Sequence, residues 1–104
     1  MRFGLKEETI EKVNRVFNRY DAIDTVILYG SRAKGSHKPG SDIDLTLIGK
    51  KLNLKLLNKI SLDLDDLLLP YTIDLSIYHN INDADLIEHI ERVKKIFYRS
   101  GVAS

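Results

Sequence analysis

A glycine turn between two apolar segments constrains the fold of this 104-residue chain more than any other feature. The first segment, Thr25 to Tyr29, is rich in β-branched and aromatic residues and ends directly at Gly30, which is typical of a buried strand. The second segment, Asp42 to Ile48, alternates polar and apolar residues, which is the period of a strand with one buried face. The sequence therefore predicts two strands, with the turn after the first and both Asp42 and Asp44 on the polar face of the second.

The other elements are predicted from hydrophobic periodicity. In chain order the predicted elements are a helix at 5–20, the strand at 25–29, a helical turn at 31–35, a loop at 36–41, the strand at 42–48, a helix at 53–69, a strand at 71–78, a helix that begins at Asn82 or Asp83 and extends through Phe97, and a frayed tail at 100–104. This order indicates an α/β (α+β) fold with a small sheet. The length leaves room for one domain, residues 1–104, so a second substrate would be small or belong to a partner.

Charge and cysteine content exclude several classes of protein. The 16 lysines and arginines nearly balance the 15 acidic residues, and the net charge is +1, whereas a dedicated nucleic-acid-binding domain has a clearly basic face. The chain has no cysteine, which excludes a disulfide framework and a thiolate metal site and suits a reducing cytoplasm. The first residues are too acidic for a signal peptide, and no apolar run approaches the roughly 20 residues of a membrane span.

Three aspartates are the candidate catalytic and metal-binding residues. Asp42 and Asp44 are two residues apart on one predicted strand, so their side chains point to the same face. Asp74 lies between Ile73 and Leu75 on another predicted strand and joins them if the two strands are neighbours. Carboxylates placed together raise one another's pKa, and a bound cation removes this cost. Oxygen ligands without Cys or His select a hard ion such as Mg²⁺.

The turn after the first strand is the candidate nucleotide-binding element. Gly30 allows the backbone to approach an anion closely, and the N–H groups of a helical turn that opens at Ser31 would point toward that anion. Arg32 and Lys34 add positive charge, and Tyr29 is a candidate to line the site. Arg32 has two alternative roles, a phosphate contact or an ion pair that orients an aspartate. With two metal ions held by the aspartates, the arrangement predicts in-line attack on phosphorus and release of pyrophosphate, which is nucleotidyl transfer.

The same residues resemble the signature of a known family. Gly30-Ser31, ten intervening residues and then Asp42-Ile43-Asp44 resemble the two-part motif of the polymerase-β-like nucleotidyltransferases. The surrounding Tyr-Gly-Ser-Arg-Ala-Lys-Gly and Ser-Asp-Ile-Asp-Leu are similar to the minimal nucleotidyltransferase (MNT) proteins of prokaryotes. With Asp74 as the third carboxylate, the resemblance extends from about Thr25 to Tyr78. It implies a small mixed β-sheet flanked by helices.

The resemblance also implies a function and a partner. Such proteins are antitoxins that transfer AMP from ATP to a tyrosine of a helical HEPN-domain toxin, with which they form a hetero-oligomer. By this resemblance Asp42 and Asp44 bind Mg²⁺, and Asp74 completes the metal site or acts as a base toward the attacking hydroxyl. Gly30-Ser31 would hold the triphosphate, and Arg32 matches this subgroup of the family.

Two other functions remain as alternatives. The first is an antitoxin that neutralises its partner by contact and has weak or no transferase activity. Separately, Leu67 to Leu69 exceed one helical face, so part of the leucine stripe from Leu54 to Leu69 is a candidate to meet a partner subunit. The second, an antibiotic nucleotidyltransferase, ranks lower because such enzymes resemble longer chains with an added substrate domain. No P-loop or dinucleotide-binding motif occurs in the sequence. The histidines, His37, His79 and His89, lack ligand spacing and are interpreted as surface or half-buried side chains.

Overall fold

A computed structural model describes residues 1–101 of the chain. Its elements, in chain order, are α1 (Glu7–Phe17), β1 (Thr25–Tyr29), α2 (Gly30–Lys34), β2 (Ile43–Ile48), α3 (Leu54–Asp65), β3 (Ile73–Ile77), a 3-10 turn (Tyr78–Asn80), α4 (Ala84–Val93) and β4 (Lys95–Arg99). Each helix and strand predicted from the periodicity is present; the strand at 25–29 has the predicted ends, and the other elements begin or end at different residues. Across residues 1–101 there is no helix with the length and apolar character that crossing a membrane requires.

The four strands form one mixed sheet in the order β3-β2-β1-β4. Strand β1 pairs antiparallel with both β2 and β4, whereas β2 and β3 are parallel neighbours. Helix α3 lies in the connection between β2 and β3, as expected because a parallel pair needs a crossover segment. The predicted small mixed sheet with flanking helices is therefore confirmed.

The two faces of the sheet are covered by different helices. The larger core lies between one face and helices α1 and α3, and its members include Phe17, Leu28, Leu45, Ile60 and Ile77. On the other face, Ile90 of α4 packs against Ile27 and Tyr29 of β1. Because side chains alternate along a strand, the polar residues of β2 and β3 lie on this second face, next to the part covered by α4.

The predicted last helix is too long, because Phe97 lies in a strand. Helix α4 ends at Val93, and Lys94 adopts an extended ψ of 141°. Val93 and Phe97 are spaced as on one helical face, but the pairing of β4 satisfies backbone groups of β1 that would otherwise form an open sheet edge. Phe97 then packs in the larger core, with its ring centroid 6.4 Å from that of Phe17.

Helix α3 is also shorter than predicted. Asn53 caps its start, where the side-chain oxygen accepts a hydrogen bond from the N–H of Leu56 at 2.9 Å. The helix ends at Asp65, and Leu68 has a φ of +54°, which a continuing right-handed helix excludes. Leu68 is 88% exposed, whereas the other two leucines of the predicted partner contact, Leu67 and Leu69, pack partly against the core.

The end of the described chain returns to the sheet. The N–H of Ser100 donates to the carbonyl of Asp24 at 2.9 Å, so this residue is tied to the loop before β1. Residues 102–104 of the predicted frayed tail lie outside the described residues.

Candidate functional site

The register of the parallel pair β2–β3 brings two of the predicted aspartates together. Asp44 on β2 and Asp74 on β3 are direct Cα partners in the ladder, so their side chains leave neighbouring strands on the same face. Asp44 is partly buried and Asp74 is exposed. In the next row of this face, Ser76 Oγ donates a hydrogen bond to Thr46 Oγ1 at 2.9 Å. Two carboxylates of different burial therefore lie side by side next to a hydroxyl pair.

Negative charge accumulates around Asp44. Burial raises the pKa of the Asp44 carboxyl above its usual value, and the negative charges of Asp74 and Asp42 raise it further. Asp42 itself is exposed and lies just before the start of β2. All three predicted aspartates thus contribute to one region of negative potential, and a cation bound there would remove the repulsion between them.

The carboxylates suit a hard cation but do not form a complete ligand set by themselves. Within residues 1–101, no three His, Cys, Asp or Glu side chains are arranged so that they could hold a metal ion. Mg²⁺ commonly takes only one or two protein carboxylates and completes its shell with phosphate and water oxygens. The donor chemistry therefore fits Mg²⁺, and metal binding by these aspartates stays a prediction.

Gly30 lies against the Asp44 carboxylate. Strand β1 ends at Tyr29, the ladder partner of Asp44, and Gly30 follows with a φ of +75°. A Cβ atom on Gly30 would lie 2.2 Å from Oδ2 of Asp44. The backbone conformation therefore favours glycine, and a Cβ here would force the Asp44 carboxylate to shift. The turn and the carboxylate form one site.

The helical turn after Gly30 is present as predicted. Helix α2 spans Gly30–Lys34, and Gly35 ends it with a φ of +80°. Ser31 is half-buried in the first turn of this helix, where backbone N–H groups have no partner within the helix. The predicted Gly30-Ser31 turn is thus beside Asp44, and its contact with a nucleotide stays a prediction.

Arg32 is a buried residue that connects three segments of the chain. It is 3% exposed; Nε and Nη2 donate to the carbonyl of Ser41 at 3.1 and 2.8 Å, and Nη1 donates to the carbonyl of Phe3 at 2.8 Å. The guanidinium carbon lies 5.0 Å from the ring centroid of Tyr71, within the range of a cation–π contact. Among the described residues Arg32 forms no ion pair with an aspartate, so that predicted alternative is wrong here. A phosphate contact of Arg32 stays a prediction.

Lys34 is the exposed cation of the same turn. It is the last residue of α2, and its side chain is solvent-exposed. In the part of the chain that the structure describes, Lys34 takes part in no ion pair. Its ammonium group is therefore available to an anion, in contrast to the guanidinium of Arg32.

His89 is a residue of this site that the sequence reasoning missed. It lies on α4, and its Nε2 accepts a hydrogen bond from the N–H of Gly30 at 3.2 Å. Its ring packs edge-on against Tyr29, with the centroids 6.2 Å apart and the planes at 80°. The sequence shows only that His89 precedes Ile90, an apolar residue of the last helix that is fully buried in the structure. It does not show which part of the protein that side of the helix contacts.

A cavity of about 530 Å³ lies elsewhere, between α1 and β4. Its lining residues include Asn14, Arg15 and Tyr98, and none of the three predicted aspartates. The size of a cavity therefore does not locate the candidate site in this molecule. The paired carboxylates and the glycine turn do.

Most of the chain matches a known family model. Residues 11–101 match the family described as Polymerase beta, Nucleotidyltransferase, and this range includes the turn and all three aspartates. No curated protein has a significant sequence match to the chain.

Solved structures of toxin–antitoxin complexes have a similar fold. A toxin–antitoxin structure with AMP-PNP aligns with a TM-score of 0.68 and 21% identity, over 93% of this chain and 76% of that chain. A tri-AMPylated Shewanella oneidensis HEPN toxin in complex with MNT antitoxin aligns with a TM-score of 0.67 and 14% identity, over 92% and 74%. The toxin–antitoxin MntA-HepT aligns with a TM-score of 0.67 and 14% identity, over 91% and 74%. Likeness at these identities shows the fold alone.

Proposed function

Because the chain belongs to the polymerase β nucleotidyltransferase family, we propose that it is an MNT antitoxin that transfers AMP from ATP to a tyrosine of a HEPN-type toxin. The single observation that supports this most is the ladder pairing of Asp44 with Asp74 beside the Gly30 turn. Nucleotidyl transfer needs carboxylates for metal ions next to a backbone turn that can accept a triphosphate. The paired aspartates and the turn are suited to those two tasks.

Each step of the transfer has a candidate group in this chain. The backbone of Gly30-Ser31 would hold the triphosphate, and the exposed ammonium of Lys34 would add positive charge beside it. The tyrosine oxygen of the partner attacks the α-phosphorus of ATP, a new P–O bond forms, and the bond to pyrophosphate breaks. Asp74 would accept the proton of the tyrosine hydroxyl or complete the metal ligand set.

Mg²⁺ is the cation that this donor set would take, held by Asp42, Asp44 and Asp74. When bound, one or two such ions neutralise phosphate charge and stabilise the attacking and leaving oxygens. Burial raises the pKa of Asp44 most, and the charges of Asp74 and Asp42 raise it further; a bound cation would offset this repulsion. Asp42 is exposed and precedes the strand, so its side chain can adjust toward an ion that arrives with the phosphates.

The kind of partner is proposed by analogy with proteins of similar fold. One of them contains a tri-AMPylated HEPN toxin with its MNT antitoxin, and another contains AMP-PNP. These support a HEPN-type toxin as the acceptor, ATP as the nucleotide and a hetero-oligomer as the working form.

Neutralisation by contact alone is the second candidate function. Leu54 and Leu62 of α3 are each 64% exposed, and Leu68 is 88% exposed. Apolar side chains exposed in this way on and just after one helix are suited to burial against another protein. An antitoxin that acts by contact would depend on these leucines and would not need the aspartates.

A transfer assay separates the two candidates. The protein is incubated with ATP labelled on the α-phosphate, Mg²⁺ and a candidate HEPN-domain partner protein, and label on that partner is measured. We expect labelling by the wild type, a loss of roughly 100-fold or more in Asp44→Asn, and wild-type labelling by Asp21→Asn, which alters an exposed aspartate in the loop before β1. Absence of labelling, together with full neutralisation by the Asp42→Ala, Asp44→Ala double variant, would leave contact as the function.

A further inference from the structure

The backbone N–H of Gly30 lies beyond both ladders of β1. The pairing of β1 with β2 ends at Tyr29, and its pairing with β4 ends at Leu28. Gly30 is also the first residue of α2, and the first N–H groups of a helix have no acceptor within it. Neither the sheet nor the helix can therefore satisfy this donor. The imidazole of His89 does so, across 59 positions of sequence.

The hydrogen bond defines the state of the His89 ring. Since Nε2 accepts from Gly30, Nε2 holds no proton, and the neutral ring then has its proton on Nδ1. The ring is held in place by its edge-on contact with Tyr29 and by the burial of the next residue, Ile90, against β1. The acceptor atom is thus presented by a packed helix rather than by a loose side chain.

Gly30 needs such a restraint more than other residues would. Glycine adopts positive and negative φ about equally well, so its φ of +75° is not enforced by a side chain of its own. Its Cα lies against the carboxylate of Asp44, which would have to shift to admit a Cβ. A rotation of the turn would therefore change both the backbone that faces a triphosphate and the surroundings of Asp44.

We infer that His89 is a positioning residue of the transferase site, which acts by holding the Gly30 N–H and so keeps the turn closed on Asp44. This inference rests on the proposed function, because it assigns His89 a role in AMP transfer. His89 acts through Gly30 and is not assigned a contact with the reacting atoms. It makes helix α4 part of the site, which otherwise consists of α2 and three strands.

The test begins with the wild-type protein in solution. Nitrogen NMR of the His89 ring is expected to show the tautomer with the proton on Nδ1, and the amide of Gly30 is expected to show the downfield proton shift of a hydrogen-bonded group. A ring protonated on Nε2, or a Gly30 amide that behaves as solvent-exposed, would overturn the inference without any substitution.

Two substitutions at His89 then separate the effect of losing the hydrogen-bond acceptor from the effect of losing the ring packing. His89→Phe keeps an aromatic ring beside Tyr29 and removes the acceptor, whereas His89→Gln keeps an acceptor oxygen at similar reach. In AMP transfer we expect His89→Phe to lower kcat/KM for ATP about tenfold or more, since small misplacement of a reacting group has effects of this size. His89→Gln should recover most of the loss, and the Gly30 amide shift should follow the same order. His79→Phe, an exposed histidine in the turn after β3, is the matched control and should match the wild type.

The outcomes distinguish this inference from the proposed function. An active wild type with His89→Phe equal to it in kcat/KM would overturn the positioning role and leave the transferase proposal intact. Equal losses in the Phe and Gln variants would also overturn it, because packing rather than the acceptor would then be responsible. A wild type that transfers no AMP to any HEPN partner would overturn the transferase proposal, and the role of His89 with it.

Discussion

Gly30 and Asp44 lie so close together that a single methyl group on Gly30 would come within 2.2 Å of Oδ2 of Asp44. The two residues are joined by the ladder, because Tyr29 is the register partner of Asp44 and Gly30 follows it directly. Gly30 and Asp44, the aspartate within β2, are therefore held in contact by the pairing of the two strands. A substitution at either residue should therefore shift the position of the other.

Gly30→Ala should be more damaging than the same change at another glycine of similar backbone. Gly35 has a comparable φ of +80° and no heavy atom within 4 Å of its Cβ position, so Gly35→Ala isolates the backbone strain, which is roughly 1–2 kcal/mol. Gly30→Ala adds the clash with Asp44 and should cost more, with loss of AMP transfer. Urea unfolding of both variants measures the difference, and equal costs would show that the contact with Asp44 is unimportant.

Asp44→Asn should stabilise the protein at neutral pH while it lowers the proposed AMP transfer roughly 100-fold or more. The folded protein binds the Asp44 proton more tightly than the unfolded chain, since burial, Asp74 and Asp42 raise its pKa. Stability of the wild type should therefore fall as pH rises from the unfolded value through the folded pKa, and Asp44→Asn should lack this loss. Thermal unfolding across the acid range measures it. Mg²⁺ with ATP should raise the Tm of the wild type and not of the variant.

Arg32→Lys should lower stability with little effect on nucleotide affinity, and Lys34→Ala should do the reverse. Lysine keeps the charge of Arg32 but not the planar fork that binds two carbonyls, so a loss of about 2 kcal/mol is expected. Lys34 is exposed, and its removal should change stability by no more than about 0.5 kcal/mol. Urea unfolding and the KM for ATP, measured on both variants, test this pair. If Arg32→Lys is fully folded in the assay and its KM for ATP is still raised, the result would support a phosphate contact of Arg32.

Tyr20→Phe should weaken the contact between α3 and the segment that follows α1. The Tyr20 hydroxyl donates to the carboxylate of Asp63, and burial, this hydrogen bond and the charge of Asp63 raise the pKa of Tyr20 to about 12. The stabilisation that this hydrogen bond gives to the folded state should be complete below the unfolded pKa of 10.0. It should be lost as the pH rises from there toward the folded pKa of Tyr20. We expect a loss of about 1 kcal/mol at neutral pH and a flatter alkaline stability profile in Tyr20→Phe. An unchanged alkaline profile would contradict the assignment.

Local pattern was sufficient for the elements that form the site. The alternation of Asp42 to Ile48 and of Tyr71 to Tyr78 acts over adjacent residues, and it predicted which side chains of β2 and β3 face away from the larger core. The glycine after β1 predicted the turn for the same reason. Strand β4 was not predicted, because the spacing of Val93 and Phe97 fits a helix as well as a strand. The strand forms because it pairs with the edge of β1 that would otherwise be open.

The sequence by itself determined which groups the candidate site offers: Asp44 and Asp74 on polar strand faces, Asp42 just before β2, and a glycine turn. Only the tertiary structure decided how these groups meet. The pairing of Asp44 with Asp74, the burial of Arg32 and the contact of His89 with Gly30 all join residues far apart in the chain. The reason is physical, because register and helix position are set by the combined burial of many distant side chains, which no local spacing encodes.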